Sequence, residues 1–446
     1  MIITTNPYTL KEIKQYSFLT NDELNLQLNS AQKSYKEWKV IPLKDKELLG
    51  LKLKELMLTR KEELAHLISN EMGKPITQSL AEVEKTSTLI DYFTHNTSNF
   101  LKNQTLDDYT YVSYHSTGAV FGIMPWNFPL WQVFRFAFPN IMAGNICLLK
   151  HAPNVTGCAV AIQQLFIDAG YPKQVFTNLI IDIPQVEQII KHPIVQGVCL
   201  TGSTKAGSSV AALAGKYLKK SVLELGGTDA SILLEDADFD TALTSAFESR
   251  TANSGQVCIA AKRIFVPKNK LAYAIDFFKQ KIADLKHGNP LDSNTQIGPI
   301  SKAEFLPVLQ NQVEETIKNG AELIVGGKIN EPFYQTTLLV VNKENPMLKE
   351  EIFGPVICII PYENIDNLID DVNNSDYGLG TAIWTKNIEK AKTLAKKIEV
   401  GYVSINFKVT SDPKFPFGGI KKSGYGKELG EHGLKTFLNA KTNTVA

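Results

Sequence analysis

Residues 197–207 read GVCLTGSTKAG: a short apolar run, a turn of small and hydroxylated residues, and the opening of a helix. Small residues at such a turn let backbone N–H groups and a helix N-terminus approach a phosphate. Thr201-Gly202-Ser203-Thr204-Lys205-Ala206-Gly207 lacks the GxGxxG spacing of the dinucleotide fingerprint, and a strand-to-helix turn that simply needs glycine explains it equally well. The strand–turn–helix unit recurs on both sides of it. Apolar runs at 119–124 (AVFGIM), 145–149 (NICLL), 176–181 (FTNLII) and 221–225 (SVLEL) are separated by helical stretches. One of these is 156–169 (TGCAVAIQQLFIDA), closed by Gly170 and Pro172. Short, nearly continuous apolar strands between helices predict a parallel sheet covered on both faces.

A second alternating series starts near 231 (SILLE) and continues through 263–266 (RIFV), 322–325 (ELIV), 356–360 (VICII) and 380–384 (GTAIW). Two successive series imply two α/β sheets, with a ligand cleft where they meet. The first hundred residues read as helix. Leu24, Leu28, Ala31, Tyr35 and Trp38 recur at three- and four-residue steps behind Asn21 and Asp22 as N-caps. A second helical stretch carries Leu64, Leu67 and Ile68 and stops at Gly73-Lys74-Pro75. Residues 109–114 (YTYVSY) read as extended structure before a Thr117-Gly118 turn. There is no internal repeat, low-complexity tract or linker rich in Pro, Gly and Ser.

Composition bounds the function. The chain has 446 residues, enough for two or three domains, with 43% apolar and 21% charged residues, as in an ordinary globular protein. Lys and Arg number 47 against 46 Asp and Glu, a net charge of +1 without a long like-charge block. Nucleic acid and anionic membrane, which need a basic face, are therefore excluded as main partners. The longest apolar runs, such as 141–149 (IMAGNICLL), are about half a membrane span, and MIITTNPYTLKEIKQYSF lacks the apolar core of a secretory signal. Five scattered cysteines (147, 158, 199, 258, 358) without a CxxC fit a reducing compartment, so a cytoplasmic protein is expected. The seven histidines show no ligand spacing, and no metal is assigned.

Four features bear on chemistry. Glu224-Leu225-Gly226-Gly227 puts a carboxylate at a strand end beside two glycines, where burial can tune it into a general base; an isolated Glu is more often solvated or salt-bridged. Cys258 follows Asn253-Ser254-Gly255-Gln256-Val257, a small and polar loop, whereas the other cysteines lie in or beside apolar runs. That setting favours a nucleophile, with a structural thiol as the competing reading. Pro125-Trp126-Asn127-Phe128-Pro129 fixes the backbone around an Asn whose amide can donate to a developing oxyanion. Arg135, between Phe134 and Phe136, is either a structural ion pair or an anion receptor.

In order along the chain, PWNFP (125–129), LLKHAP (148–153), TGSTKAG (201–207), ELGG (224–227), GQVC (255–258), EEIFGP (350–355) and PFGG (416–419) resemble the aldehyde dehydrogenase superfamily over nearly the whole length. WNFPLWQVFR and LLKHAPN resemble its shorter bacterial succinate-semialdehyde dehydrogenases. The resemblance implies a Rossmann-like cofactor domain (1–103 and 119–227), a catalytic α/β domain (228–420) and a small β oligomerisation element (104–118 and 421–446). It implies a homodimer or a tetramer of dimers. Cys258 is then the nucleophile that attacks an aldehyde, and Asn127 with the Cys258 backbone N–H holds the oxyanion. Glu224 activates the water that hydrolyses the thioester, which argues against a coenzyme-A-acylating relative. For NAD or NADP, Gly202, Ser203 and Gly207 match the pyrophosphate turn, Lys150 the adenosine ribose, and Glu351 the nicotinamide ribose. Phe353 packs beside the nicotinamide, and Met124, Pro125, Trp126, Pro153 and Leu225 complete the groove.

Three departures refine this reading. Pro153 stands where NAD-selective members often carry an acid, which removes a repulsion against a 2′-phosphate and predicts that NADP is accepted. Ala252 stands where some succinate-semialdehyde enzymes place an Arg, leaving Arg135 as the carboxylate receptor, helped by Ser411. Ala260 excludes a disulfide with a cysteine two residues past the nucleophile. The alternatives are a broad or different aldehyde specificity with Arg135 structural, and a non-catalytic binding protein on the same scaffold. The joint presence of Cys258, Glu224 and Asn127 speaks against the second.

Overall fold

The alternation of strand and helix folds into two separate sheets in a computed structural model that describes residues 1–445. The first has the order Gly424–Tyr425, Lys220–Glu224, Val195–Thr201, Ala119–Met124, Ile146–His151, Phe176–Asn178, parallel throughout except for the Gly424–Tyr425 edge. Ile123 lies opposite both Lys150 and Leu200, so Met124, Lys150 and the Thr201–Ser203 turn share the carboxyl edge of this sheet. That edge is where open α/β sheets bind ligands.

The second sheet runs Glu322–Val325, Thr337–Val340, Val356–Tyr362, Arg263–Pro267, Ala230–Leu233, Gly380–Trp384, Tyr402–Ile405, with only Glu322–Val325 antiparallel. Both of its faces are covered. Along Val356–Tyr362, Val356, Cys358 and Ile360 join one apolar cluster while Ile357 and Ile359 join the other. Period-two alternation between two cores explains why this strand reads as an unbroken apolar run.

The N-terminus departs from an all-helical reading. Ile2–Thr5 and Glu12–Tyr16 pair as an antiparallel hairpin. The sequence conceals it because EIKQY is almost wholly exposed and carries no apolar alternation. The first helix, Asn21–Trp38, is capped by Thr20 rather than by Asn21 or Asp22. The Thr20 hydroxyl accepts from Glu23 N (3.2 Å), and the Glu23 carboxylate accepts from Thr20 N (2.8 Å), a reciprocal capping box. The expected stops are present at Gly73 (φ 81°) and Gly170 (φ 92°), both left-handed.

A third, small sheet pairs Asn439–Thr444 with Thr110–His115 and the latter with Gln104–Thr105. It is narrower than the element expected over 421–446. Tyr425 pairs with Leu223 of the first sheet, and the helix Gly430–Lys435 packs on the helices Ile76–Phe100 and Trp131–Met142. Gly424 makes this return possible, since its φ of 108° and its approach to the Leu223 carbonyl leave no room for a side chain.

Two buried carboxylates set the helices behind the cleft. Glu82 accepts from Leu130 N (2.9 Å) and Trp131 N (3.1 Å) at the start of Trp131–Met142. Glu71 accepts from Gly157 N and Cys158 N, both 2.9 Å, at the start of Thr156–Asp168. Each satisfies orphan amide donors of a first turn and opposes the positive end of its helix dipole. Glu82 also forms a fully buried ion pair with Lys74, whose ammonium lies 3.8 Å from the centroid of the Phe128 ring. Glu82→Ala strips the cap and leaves an unpaired buried ammonium, so a loss of about 3–5 kcal/mol is expected in urea unfolding. Adding Lys74→Met recovers part of that loss; unchanged stability of the single variant would contradict the assignment.

Candidate active site

The helix Phe239–Thr251 ends in a turn that no run of ordinary residues adopts freely. Asn253 (φ 51°), Ser254 (φ 57°) and Gly255 (φ 75°) are all left-handed, at a cost of order 1–2 kcal/mol for each of the two non-glycines. Gly255 packs directly on the Gly354 carbonyl, so a Cβ there has no space. Arg250, fully buried, holds the turn in place. Its guanidinium donates to the carbonyls of Val356, Ile352 (2.7 Å) and Gly255 (3.2 Å), tying the EEIFGP segment to the loop that presents Cys258.

Asn127 closes the loop from the other side. Its Nδ2 donates to Gln256 O (3.0 Å), and Asn253 Nδ2 donates to Asn127 O (2.9 Å). One amide hydrogen of Asn127 is thereby committed, and the second remains for an oxygen bound beside Cys258. Lys262 donates to Val257 O (3.0 Å) and Cys258 O (2.5 Å) and pairs with Glu351 at 3.1 Å. Burial pushes the Cys258 thiol up to about 11, against the pull of Lys262 and Arg135. The other four cysteines are all buried. Cys147 and Cys358 pack in the apolar clusters, whereas Cys199 Sγ donates to the Glu428 carboxylate at 2.9 Å and Cys158 lies beside Glu71, polar partners their apolar sequence settings did not indicate.

Glu224 ends the strand Lys220–Glu224 and is 2% exposed. Neither carboxyl oxygen has a hydrogen-bond partner among the described residues. Burial holds the group well above the usual carboxylate range, opposed by Arg135 and Lys427 and reinforced by Glu428. The carboxyl rests against Gly418, whose Cβ, were there one, would sit 2.5 Å from Oε1. The PFGG motif thus leaves room for a protonatable acid that nothing pins.

Arg135 sits among these groups, but its charge has an internal partner. It forms a buried ion pair with Glu428, donates from Nη2 to Thr201 Oγ1 (3.3 Å) and stacks 4.9 Å from the Phe417 ring centroid. Of the two readings its sequence setting left open, the ion pair is the one the geometry realises. Ser411 is buried, its Oγ accepting from Lys85 Nζ at 3.1 Å.

Between the sheets lies a cleft of about 240 Å³ lined by Pro125, Trp126, Thr201, Gly202, Ser203, Leu225, Gly226, Glu351 and Phe353, with Asn127 and Cys258 also on its wall. A nicotinamide dinucleotide fits this lining. Ser203 caps the helix Thr204–Lys216, whose first turn faces a wall with only Leu200 in contact range of a Gly202 Cβ. Trp126 stacks on Phe305 and meets Phe353 edge-on at 5.8 Å, giving a flat aromatic side. Glu351 accepts from Gly227 N (3.1 Å), and its carboxylate packs directly against Gly226, so a side chain there would displace it. Gly207 instead packs against the Leu225 side chain, a helix–strand contact. Met124 is buried beneath the cleft with its carbonyl beside His151 Nδ1 (3.3 Å), and Lys150 and Pro153 follow the next strand out along the same edge. Burial lowers the Lys150 ammonium, and Asp182 opposes the shift.

Sequence reading missed Arg250, Lys262, Glu428 and Lys85, all charged residues with buried or half-buried side chains. The one signal available was that Arg250 and Lys262 flank the Cys258 loop within eight residues. Among the described residues no cluster of His, Cys, Asp and Glu could hold a metal.

The profile of the aldehyde dehydrogenase family matches residues 1–443. The succinate-semialdehyde dehydrogenase [NADP(+)] of Deinococcus radiodurans is 39% identical over 445 residues, covering 98% of this chain and 93% of that protein. The succinate semialdehyde dehydrogenase [NAD(P)+] of Escherichia coli K12 is 38% identical, covering 99% and 97%. The crystal structure of succinic semialdehyde dehydrogenase from Streptococcus pyogenes with NADP+ superposes with a TM-score of 0.97 at 36% identity, over 100% of both chains. With the profile matching residues 1–443 and these relatives covering nearly its whole length, the chain belongs to the aldehyde dehydrogenase family.

Proposed function

We propose that the enzyme oxidises succinate semialdehyde to succinate with NADP, accepting NAD as well. The observation that carries the reaction type is the meeting of Cys258 and the Asn127 amide on the wall of one cleft. The names of the relatives at 38–39% identity carry the substrate and the cofactor.

Cys258 loses its proton and adds to the aldehyde carbon, while Asn127 Nδ2 and the Cys258 backbone N–H stabilise the oxyanion. The thiol's position in a buried loop keeps it protonated in the open cleft, so attack requires a group that lowers its pKa or removes the proton. A nicotinamide cofactor held in the cleft lined by Thr201, Gly202, Ser203 and Phe353 would supply the hydride acceptor. Glu351 and Lys150 would hold its two riboses, and Pro153, in place of an acid, would present no repulsion to a 2′-phosphate. Glu224 then takes a proton from the water that attacks the Cys258 thioester, releasing the acid and the thiol. A carboxyl raised by burial and free of hydrogen bonds is suited to that proton transfer.

We further propose that it works in the cytoplasm as a homodimer or homotetramer. All five thiols are unpaired, and among the described residues no helix is long and apolar enough to cross a membrane. The outer face of the sheet that ends in Asn439–Thr444 offers an edge strand for a second copy.

Three measurements check this reading. Initial rates with succinate semialdehyde and with pentanal, each with NADP and NAD, should give a catalytic efficiency for the charged aldehyde at least about tenfold higher, as one charge-assisted hydrogen bond provides. Parity would withdraw the substrate while leaving the chemistry. Glu224→Gln should still deliver about one equivalent of reduced cofactor per site in a burst, with later turnover slowed about 10²–10⁴-fold; a variant without a burst would place Glu224 earlier in the reaction. Light scattering should report at least twice the 49.5 kDa chain mass, and a monomer would remove the role given to the arm.

A further inference from the structure

We infer that Lys85 is the residue that selects a carboxylated aldehyde, receiving the substrate's distal carboxylate together with Ser411 and Trp131. The inference rests on the substrate proposed above and assigns that substrate's charged end.

Recognition of a carboxylate in a closed pocket needs a cation whose charge is not already neutralised. Arg135, which occupies the expected place, is neutralised by Glu428 and fully buried with it. Lys85 is different. It projects from the long helix Ile76–Phe100, and its ammonium lies 4.2 Å from the Trp131 ring centroid and donates to Ser411 Oγ at 3.1 Å. Among the described residues no carboxylate comes within 4.0 Å of it. The nearer acids, Glu82 and Asp412, act on it only at longer range, and Glu82 is already committed to Lys74 and to two backbone amides. An ammonium largely withdrawn from water without a counter-ion is costly to keep unless an anion visits.

Two further donors accompany it. Ser411 accepts from Lys85, which leaves its hydroxyl proton to give. Trp131 is 3% exposed and its indole Nε1–H has no acceptor among the described residues. A buried donor left unpaired in the folded protein points to a partner from outside the chain. Trp131 is one helical turn before Arg135 on Trp131–Met142 and four residues after Asn127. Gln132, next to Trp131, lines the cleft together with Asn127 and Cys258. Arg135, one turn on, is near enough to Cys258, Glu224 and Lys85 for their charges to act on one another, so the three donors lie in the neighbourhood of the nucleophile. A short chain with an aldehyde at one end and a carboxylate at the other spans such an arrangement; a neutral aldehyde leaves all three donors unanswered.

Lys85→Met keeps the aliphatic stem over Trp131 and removes the charge, and Lys85→Arg restores a charge. With NADP, Lys85→Met should lose about 30-fold in kcat/KM for succinate semialdehyde, chiefly through KM, while pentanal stays within about threefold. Lys85→Arg should recover at least about a third of the logarithmic loss. A second readout needs no turnover: succinate should protect Cys258 of the unsubstituted enzyme from iodoacetamide, and Lys85→Met should require about tenfold more. Equal losses for both aldehydes, or protection unchanged in Lys85→Met, overturn the inference. If the unsubstituted enzyme does not favour succinate semialdehyde, the proposed substrate falls by itself. Protection by succinate or glutarate that disappears in Lys85→Met then still upholds Lys85 as a carboxylate receptor, and no protection by either diacid overturns it.

Discussion

One guanidinium holds the site together. Arg250 reaches three carbonyls that belong to two segments about a hundred residues apart, Gly255 on one side and Ile352 and Val356 on the other. Burying an arginine whose acceptors are all neutral is expensive, and its pKa falls to about 10. In return, the left-handed turn Asn253-Ser254-Gly255 is pinned against Gly354, Cys258 is presented into the cleft, and Glu351 and Phe353 are placed on its rim. Strain of this kind persists only where the surroundings over-determine the backbone. Here Gln256, Asn127, Gln78, Ser301 and the Gly298 carbonyl supply further hydrogen bonds to the same loop.

The same economy of buried charge governs the neighbourhood. Glu82 and Glu71 fix the starts of two helices, and Lys262 gathers the Val257 and Cys258 carbonyls while balancing Glu351. Arg135 and Glu428 neutralise each other next to Glu224, whose own carboxyl is left without a partner. Groups engaged by two or three hydrogen bonds hold shape, and groups left unengaged are the ones that exchange protons or meet ligands. Cys258, Glu224 and the Trp131 indole N–H are in the second class, and Lys85, with one neutral partner and no counter-ion, stands nearest to them. This division separates scaffold from chemistry more sharply than burial does, because all of them are wholly or largely withdrawn from solvent.

Much of the architecture was legible because its strands are buried on both faces, which prints a continuous apolar run into the sequence, as along 356–360. The N-terminal hairpin was not, since Glu12–Tyr16 faces solvent and is held by backbone pairing alone. Within the site, Cys258 stood out by contrast with four thiols in apolar settings, and Asn127 by its flanking prolines. Roles that depend on a distant partner left no trace. Lys85 and Ser411 are 326 residues apart, Arg135 and Glu428 are joined only in space, and nothing in FRF distinguishes a paired arginine from a free one. The width of the C-terminal arm was hidden for a similar reason, as a two-residue strand at Gly424–Tyr425 is too short to show a period.

That two-residue strand also dictates an order of assembly during synthesis. The second sheet draws all its strands from Ala230 to Ile405, a continuous length of chain, and has every strand it needs once that length has emerged from the ribosome. The first sheet begins at Ala119 yet lacks its outer strand until residue 425 appears, and the neighbour that waits is the strand ending in Glu224. The domain begun first is therefore the domain finished last. The edge beside Glu224 stays open on the nascent chain until residue 425 has emerged, so a product truncated before it would present an unfinished sheet.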